Sequence, residues 1–164
     1  MDRDEALRLR DEIEAGRRRL QDLEGEEFQR LMYWLLVDRF IPRTRWITVS
    51  NQYRGEVDFV VEEHLDPPSS DVPLGRAERP HFSECKRYGP RFELADVGKL
   101  FCAAIRHYPE TVALVSTTPL QPQAQDYATL FFGPDGRFPR IVFENLRAEM
   151  LLGIPLPTET PVPP

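Results

Sequence analysis

Residues 93–117 read ELADVGKLFCAAIRHYPETVALVST. Within residues 93–108 the apolar side chains recur on one face of a 3.6-residue period, which predicts an amphipathic helix. Thr111–Thr117 is then a nearly continuous apolar run, the pattern of a strand buried on both faces. Such a strand needs a helical layer on each side, so this stretch sets the expectation of an α/β protein.

The flanking sequence extends that pattern. Two β-rich runs, Trp46–Val49 and Val57–Val61, are joined by the turn-like Ser50–Gly55, and a third strand is expected over Phe82–Arg87. A proline-rich stretch from His64 to Pro80 reads as a long surface loop inserted between strands. Phe28, Leu31, Met32, Leu35, Leu36 and Phe40 form the wide stripe of a core helix that ends before Pro42. Downstream, Pro122–Phe132 reads as a helix, Arg140–Phe143 as a short strand and Glu144–Leu152 as a last helix. The order predicts a mixed sheet flanked by helices, with an N-terminal helical extension over residues 1–24. That extension carries Ala6, Leu9, Ile13, Gly16, Leu20 and Leu23 at alternating three- and four-residue steps. This is a short heptad seam, equally suited to packing on its own domain and to a dimerising coil. Gly25 marks a break, and a single domain is expected over 25–153. Residues 155–164 contain five prolines in ten positions and read as a disordered tail or linker.

Composition narrows the function classes. The 164 residues are 41 % hydrophobic and 29 % charged, values of an ordinary globular domain. Apolar runs stop well short of the roughly 18 residues of a membrane span, and the charged N-terminal run has no apolar signal-peptide core. A cytoplasmic protein with no membrane partner is expected. Cys85 and Cys102 give no disulfide framework, and together with His64, His81 and His107 they show no zinc spacing. The net charge of −6 excludes a uniformly basic nucleic-acid binder. Residues 1–27, with ten acidic side chains against six Arg, account for −4 of it.

Two strands carry candidate chemistry. Alternation in Glu56-Val57-Asp58-Phe59-Val60 sends Glu56 and Asp58 to one face and Val57 and Phe59 to the other. In Phe82-Ser83-Glu84-Cys85-Lys86, Glu84 and Lys86 share a face while Cys85 points inward and is expected to be inert. Mid-strand carboxylates are costly to bury unpaired, and a divalent cation between Asp58 and Glu84 would offset that cost with hard oxygen ligands of the kind Mg²⁺ takes. Lys86 is one of two lysines among 21 basic residues. Its flexible point charge suits the orienting of a water better than a planar guanidinium does. An exposed Glu–Lys pair on an edge strand gives the same triplet without any chemistry.

Several ordered motifs add to that triplet. Glu27-Phe28-Gln29-Arg30-Leu31, Gly55-Glu56-Val57-Asp58, Glu84-Cys85-Lys86-Arg87-Tyr88-Gly89, the helix after it, Ala113-Leu114-Val115-Ser116-Thr117-Thr118 and Ala124-Gln125-Asp126-Tyr127-Ala128 together resemble the catalytic domain of Mrr-type restriction endonucleases, within the PD-(D/E)xK nuclease superfamily. The resemblance spans residues 26–152. It implies a restriction-endonuclease-like fold and a metal-dependent endonuclease that hydrolyses DNA in bacterial defence. Asp58, Glu84 and Lys86 would be catalytic. Asp58, Glu84 and the Cys85 backbone carbonyl would hold Mg²⁺ (or Mn²⁺), and Lys86 would position water and stabilise charge at the phosphate.

The chain departs from the family's pattern at Gln29, where the family has a helix carboxylate; Glu26, Glu27 or Glu56 are the candidates to replace it. The winged-helix DNA-reading domain usual in the family has no counterpart here. Arg87, Tyr88 and Arg91 are candidate backbone contacts. Thr117 and Thr118 are candidate phosphate contacts or caps of the next helix, and His81 a candidate rim residue. Expected partners are DNA and either a second copy or a protein that delivers nucleic acid. The alternative reading is an inactive nuclease-fold interaction module working through its N-terminal helix and tail.

Overall fold

The computed structural model describes residues 2–40, 46–49, 57–64, 79–87 and 94–156. Helix α1, Arg3–Glu14, opens with a reciprocal cap. The Asp2 carboxylate accepts from the Glu5 amide and the Glu5 carboxylate accepts from the Asp2 amide, both at 2.9 Å. The helix expected over residues 1–24 therefore closes ten residues early. Gly16 turns left-handed (φ +69°), a conformation glycine adopts without steric cost, and the chain reverses there. A single 3₁₀ turn, Leu20–Asp22, then leads into α2, Gly25–Phe40.

The remaining elements are β1 (Trp46–Val49), β2 (Phe59–His64), β3 (Arg79–Lys86), α3 (Leu94–His107), β4 (Thr111–Ser116), α4 (Pro122–Phe131), β5 (Val142–Arg147) and α5 (Ala148–Leu152). The strands form one five-stranded sheet in the order β1-β2-β3-β4-β5. The first three pair antiparallel and the last three parallel, so the sheet is mixed as the sequence predicts. Strand β4 is buried at all six positions.

Helices cover both faces. Val97, Leu100, Phe101 and Ala104 of α3 and Ala124 and Ala128 of α4 pack with Val60, Phe82, Val112 and Leu114 on one side. Phe101 is the centre of this layer, stacked on Tyr127 at 5.4 Å and edge-on to Phe132 at 4.8 Å. The other side is closed by α1, α2 and α5, whose Ala6, Leu9, Ile13, Leu31, Met32 and Leu152 pack with Ala113 and Val115. Leu20 and Leu23 join the same cluster. The N-terminal seam is thus spent inside the chain's own core, and the coiled-coil reading of residues 1–24 has no free seam to use.

The C-terminal part corrects a second expectation. Residues 144–147, expected to begin the last helix, are in β5, paired in parallel with β4 from Thr111↔Val142 to Ser116↔Arg147. Glu144 meets Arg39 of α2 at 3.7 Å, while Asn145 donates to Gln125 of α4 at 3.1 Å. Successive residues contacting opposite layers is the signature of a strand. Among the described residues no helix is long and apolar enough to cross a membrane.

Truncating Phe101 to Ala is expected to lower the unfolding free energy by about 3–5 kcal/mol in urea titrations. Leu130→Ser, at a side chain that is 68 % exposed, is expected to change it by less than about 0.5 kcal/mol.

Candidate active site

The mixed topology collects several strand ends on one edge. Because β2 runs against β3 while β3, β4 and β5 run together, the start of β2 and the C-terminal ends of the other three share that edge. In α/β sheets this is where ligands bind. The residues there are Asp58, Glu84-Cys85-Lys86, Ser116–Thr118 and Arg147.

Asp58 sits at a break. The β2–β3 ladder ends at Phe59↔Ser83, and the backbone bends at Asp58. Strict alternation would put Val57 and Phe59 on one face. Instead Val57 packs in the α3/α4 layer and Phe59 against the α2 layer. Where the β2 backbone leaves the ladder, the Asp58 carboxylate takes its place: Oδ2 accepts the Cys85 amide at 2.7 Å. A charged acceptor makes this one of the stronger kinds of hydrogen bond. It fixes the Asp58 carboxylate against the β3 backbone at Cys85, the residue next to Glu84.

Strand β3 alternates as predicted. Phe82 packs on the α3 side and Cys85 on the α2 side, which puts Glu84 and Lys86 together on the Phe82 face. Both are half-buried. The Cys85 thiol is pushed well above its ordinary range, chiefly by burial and further by the negative charges of Asp58 and Glu84.

Across from Asp58 lies a pocket of about 430 Å³ between α2 and the start of β2. Tyr33, Trp34 and Phe59 form its apolar wall; Glu26, Gln29, Arg30 and Asp58 form its polar rim. The rings meet edge-on, Tyr33 to Trp34 at 4.9 Å and Tyr33 to Phe59 at 5.5 Å. Burial pushes the Tyr33 phenol up to about 12. Gln29 therefore faces Asp58, with Glu26 as the nearby helix carboxylate, ion-paired to Arg30.

Glu27 is placed elsewhere. Arg18 Nη2 donates to its two oxygens at 3.0 and 2.8 Å, and the Glu24 amide donates to it at 3.0 Å. The Glu24 amide, helped by Arg18, holds this carboxyl below its usual range, against the opposing effect of burial. It closes the start of α2 and faces the α1 side. Glu56, Tyr88 and Arg91 lie outside the described residues; Arg87 follows β3 and is half-buried.

Thr117 is buried, its amide donating to the Lys86 carbonyl at 3.4 Å, and Thr118 is half-buried. Neither caps α4, which starts from Gln121 with Pro122 in its first turn. His81 is also no rim residue: it is buried, hydrogen-bonded through Nδ1 to Thr111 Oγ1 at the far end of the β3–β4 ladder. Among the described residues no group of three or more His, Cys, Asp or Glu side chains is arranged to hold a metal ion. Sequence reasoning missed Tyr33 and Trp34, which fall between the positions of the apolar stripe of α2, and Arg147, which was assigned to a helix.

No family model matches the chain, and neither does any curated protein or solved structure. The fold and the strand-end residues define an α/β protein with a carboxylate-bearing edge.

Two measurements check this geometry. Thiol labelling of the folded protein is expected to modify the exposed Cys102 and to spare Cys85 until the chain unfolds. Tyr33 supplies the second. Its folded-state value of about 12 exceeds the ordinary 10.0, so between them the native state holds more protons than the unfolded chain. Stability must therefore fall as pH rises through that window. Urea midpoints should drop less steeply there for Tyr33→Phe.

Proposed function

We propose that this chain is a metal-dependent endonuclease acting on DNA, of the Mrr-like restriction or defence type, with a restriction-endonuclease-like fold. The observation that carries the reading is the bond from the Cys85 amide to Asp58, which ties the candidate acid of β2 to the Glu84–Lys86 strand. The placement of the motifs supports it. Glu27–Leu31 lies on a helix, Asp58 at a strand start, Glu84–Lys86 on a strand, and an amphipathic helix follows. Ala113–Ser116 then ends a strand and Ala124–Ala128 lies on a helix, in the order the resemblance implies.

The donor set fits a hard cation. Asp58 and Glu84 carboxylates and the Cys85 carbonyl offer oxygen only, which suits Mg²⁺ or Mn²⁺ with water completing the shell. Asp58 Oδ1 has no hydrogen-bond partner among the described residues, and so stays available. Bound there, the ion would supply a water of lowered pKa and charge relief at the phosphate. The protein's own residues do the rest. Lys86, sharing the Glu84 face, directs an ammonium at the water and at the charge that grows on the phosphate. Gln29 offers an amide donor and acceptor across the pocket to orient a water or ligand. Arg87 adds a backbone contact next to Lys86.

The net charge of −6 weakens solitary DNA binding, since phosphate neutralisation is its main source. A second copy or a delivering partner completes the reading, as does a cytoplasmic setting. One arrangement favours a second reading: Gln29 stands where a carboxylate would, and the described residues lack a three-ligand group. That fits an inactive nuclease-fold interaction module. Its working surface would not be the α1 seam, which is buried.

Supercoiled plasmid incubated with Mg²⁺ or Mn²⁺ separates the two. Nicking by the wild type, reduced about 100-fold or more in both Lys86→Ala and Asp58→Ala, is the expected result. Cleavage that survives both substitutions would overturn the site. Unbroken plasmid with every form, including after addition of cell extract, would favour the inactive module.

A further inference from the structure

Glu149 is only 3 % exposed, and neither of its carboxylate oxygens accepts a hydrogen bond among the described residues. Its charged neighbour is Arg147, whose Nε lies 3.4 Å from Oε2. The same guanidinium donates through Nη2 to the Thr117 carbonyl at 2.8 Å. Yet the Arg147 side chain remains 21 % exposed, and no hydrogen bond engages Nη1 among the described residues. A buried ion pair of such loose geometry is poor value for stability, because desolvation cancels most of the attraction. What the arrangement does accomplish is to hold a guanidinium from two sides with one of its nitrogens open.

Its position gives that guanidinium a use. Register puts Lys86 beside Ser116, and Ser116 beside Arg147, so the three lie in one row on one face of the sheet. Two strand spacings of about 4.8 Å separate Arg147 from Lys86, roughly 10 Å in all. Both stand at the C-terminal ends of parallel strands, on the edge that carries Asp58. A charged guanidinium nitrogen left open in this way is a strong donor to a phosphate oxygen.

We infer that Arg147 binds a backbone phosphate of the nucleic acid, near the one presented to Lys86, and that Glu149 is the positioning residue that aims its guanidinium. The choice of ligand rests on the nuclease reading above; the held and open guanidinium does not.

The test uses the full chain and a fluorescent DNA duplex, with anisotropy recorded over a salt series in EDTA and cleavage kinetics recorded with Mg²⁺. The variant is R147Q/E149Q, which removes both charges at nearly constant volume and leaves no lone buried carboxylate. The expected result is a thermal midpoint no lower than wild type, a log Kd–log salt slope smaller by about 1, and a cleavage defect that falls in KM rather than kcat. If the double variant fails to fold, R147K keeps a charge against Glu149 and should raise KM several-fold through loss of the open Nη1 donor. Wild-type slope and KM in the folded variant would overturn the inference and leave the nuclease reading standing. A slope lost in the variant, with no cleavage by any form, would uphold the phosphate site while the nuclease reading falls. Absence of salt-dependent DNA binding by the wild type would overturn the phosphate site, while the nuclease reading stands or falls by the plasmid assay.

Discussion

Strand β4 has no face that meets water, and that constraint organises the molecule. Val112 and Leu114 point into one helical layer, Ala113 and Val115 into the other. Its peptide groups are buried as well, so they must be paired on both edges; β3 and β5 do this, each in parallel. Parallel neighbours cannot be joined by tight turns, and the connections have to cross over as helices. These are α3 and α4, and both pack on the same face. The opposite face is then closed by α1, α2 and α5, drawn from both ends of the described chain. The N-terminal segment is consequently half of the core rather than an attachment to it. Ala6, Leu9 and Ile13, each 5 % exposed or less, are as much a part of the interior as the central strand.

The same topology creates the candidate site, through a local failure of regular structure. The backbone bends at Asp58, between a bridged Val57 and the start of β2 at Phe59. At that bend it is a carboxylate, not a peptide carbonyl, that accepts the Cys85 amide. The replacement brings a full negative charge to the β3 backbone at Cys85. Burial already disfavours ionisation of the Cys85 thiol, and both carboxylates reinforce this. Carboxylates at the margin of a core are unfavourable unless something offsets their charge. A cation between them or an ammonium beside them is the chemistry that does so, and Lys86 shares the Glu84 face. The irregularity and the chemistry thus have one origin, in keeping with the tendency of functional sites to break local rules.

What could be read in advance follows from how local each signal is. The helix at 93–108 and the strand at 111–117 were legible because their periods are set by residues within one element. That Glu84 and Lys86 share a face was legible for the same reason. Gly16 was visible in the sequence, but an isolated glycine inside a heptad pattern is commonly tolerated; only the left-handed turn shows that this one ends α1. Glu144–Leu152 contains good helix formers, and nothing local says that its first four residues pair with β4 instead; the ladder from Val142 to Arg147 is a long-range contact that overrides propensity. Glu27 matched a motif by position, yet its carboxylate is claimed by Arg18, nine residues earlier, across a turn that the expected continuous helix did not contain. The Val57 face was misjudged because period-two reasoning assumes an unbroken strand.

Charge is unevenly arranged around this edge, and the unevenness bears on how a polyanion meets the chain. The acidic excess of residues 1–27 is concentrated at α1 and the start of α2, where Glu5, Glu12, Glu24, Glu26 and Glu27 gather around a second cavity of about 450 Å³. Glu26 and Arg30 border both that cavity and the Asp58 pocket, so the acidic surface begins directly beside the site. Arg18 and Arg30 are each paired with a glutamate there and contribute little net field. Along the sheet edge the balance differs: Lys86 and Arg87 stand at the end of β3 and Arg147 at the end of β5, and Glu149, ion-paired to Arg147, is withdrawn into the core. Net charge alone, at −6, conceals this polarity. The field at each surface is set by the side chains gathered there, and the fold places basic ones on the edge that also carries Asp58 and Glu84.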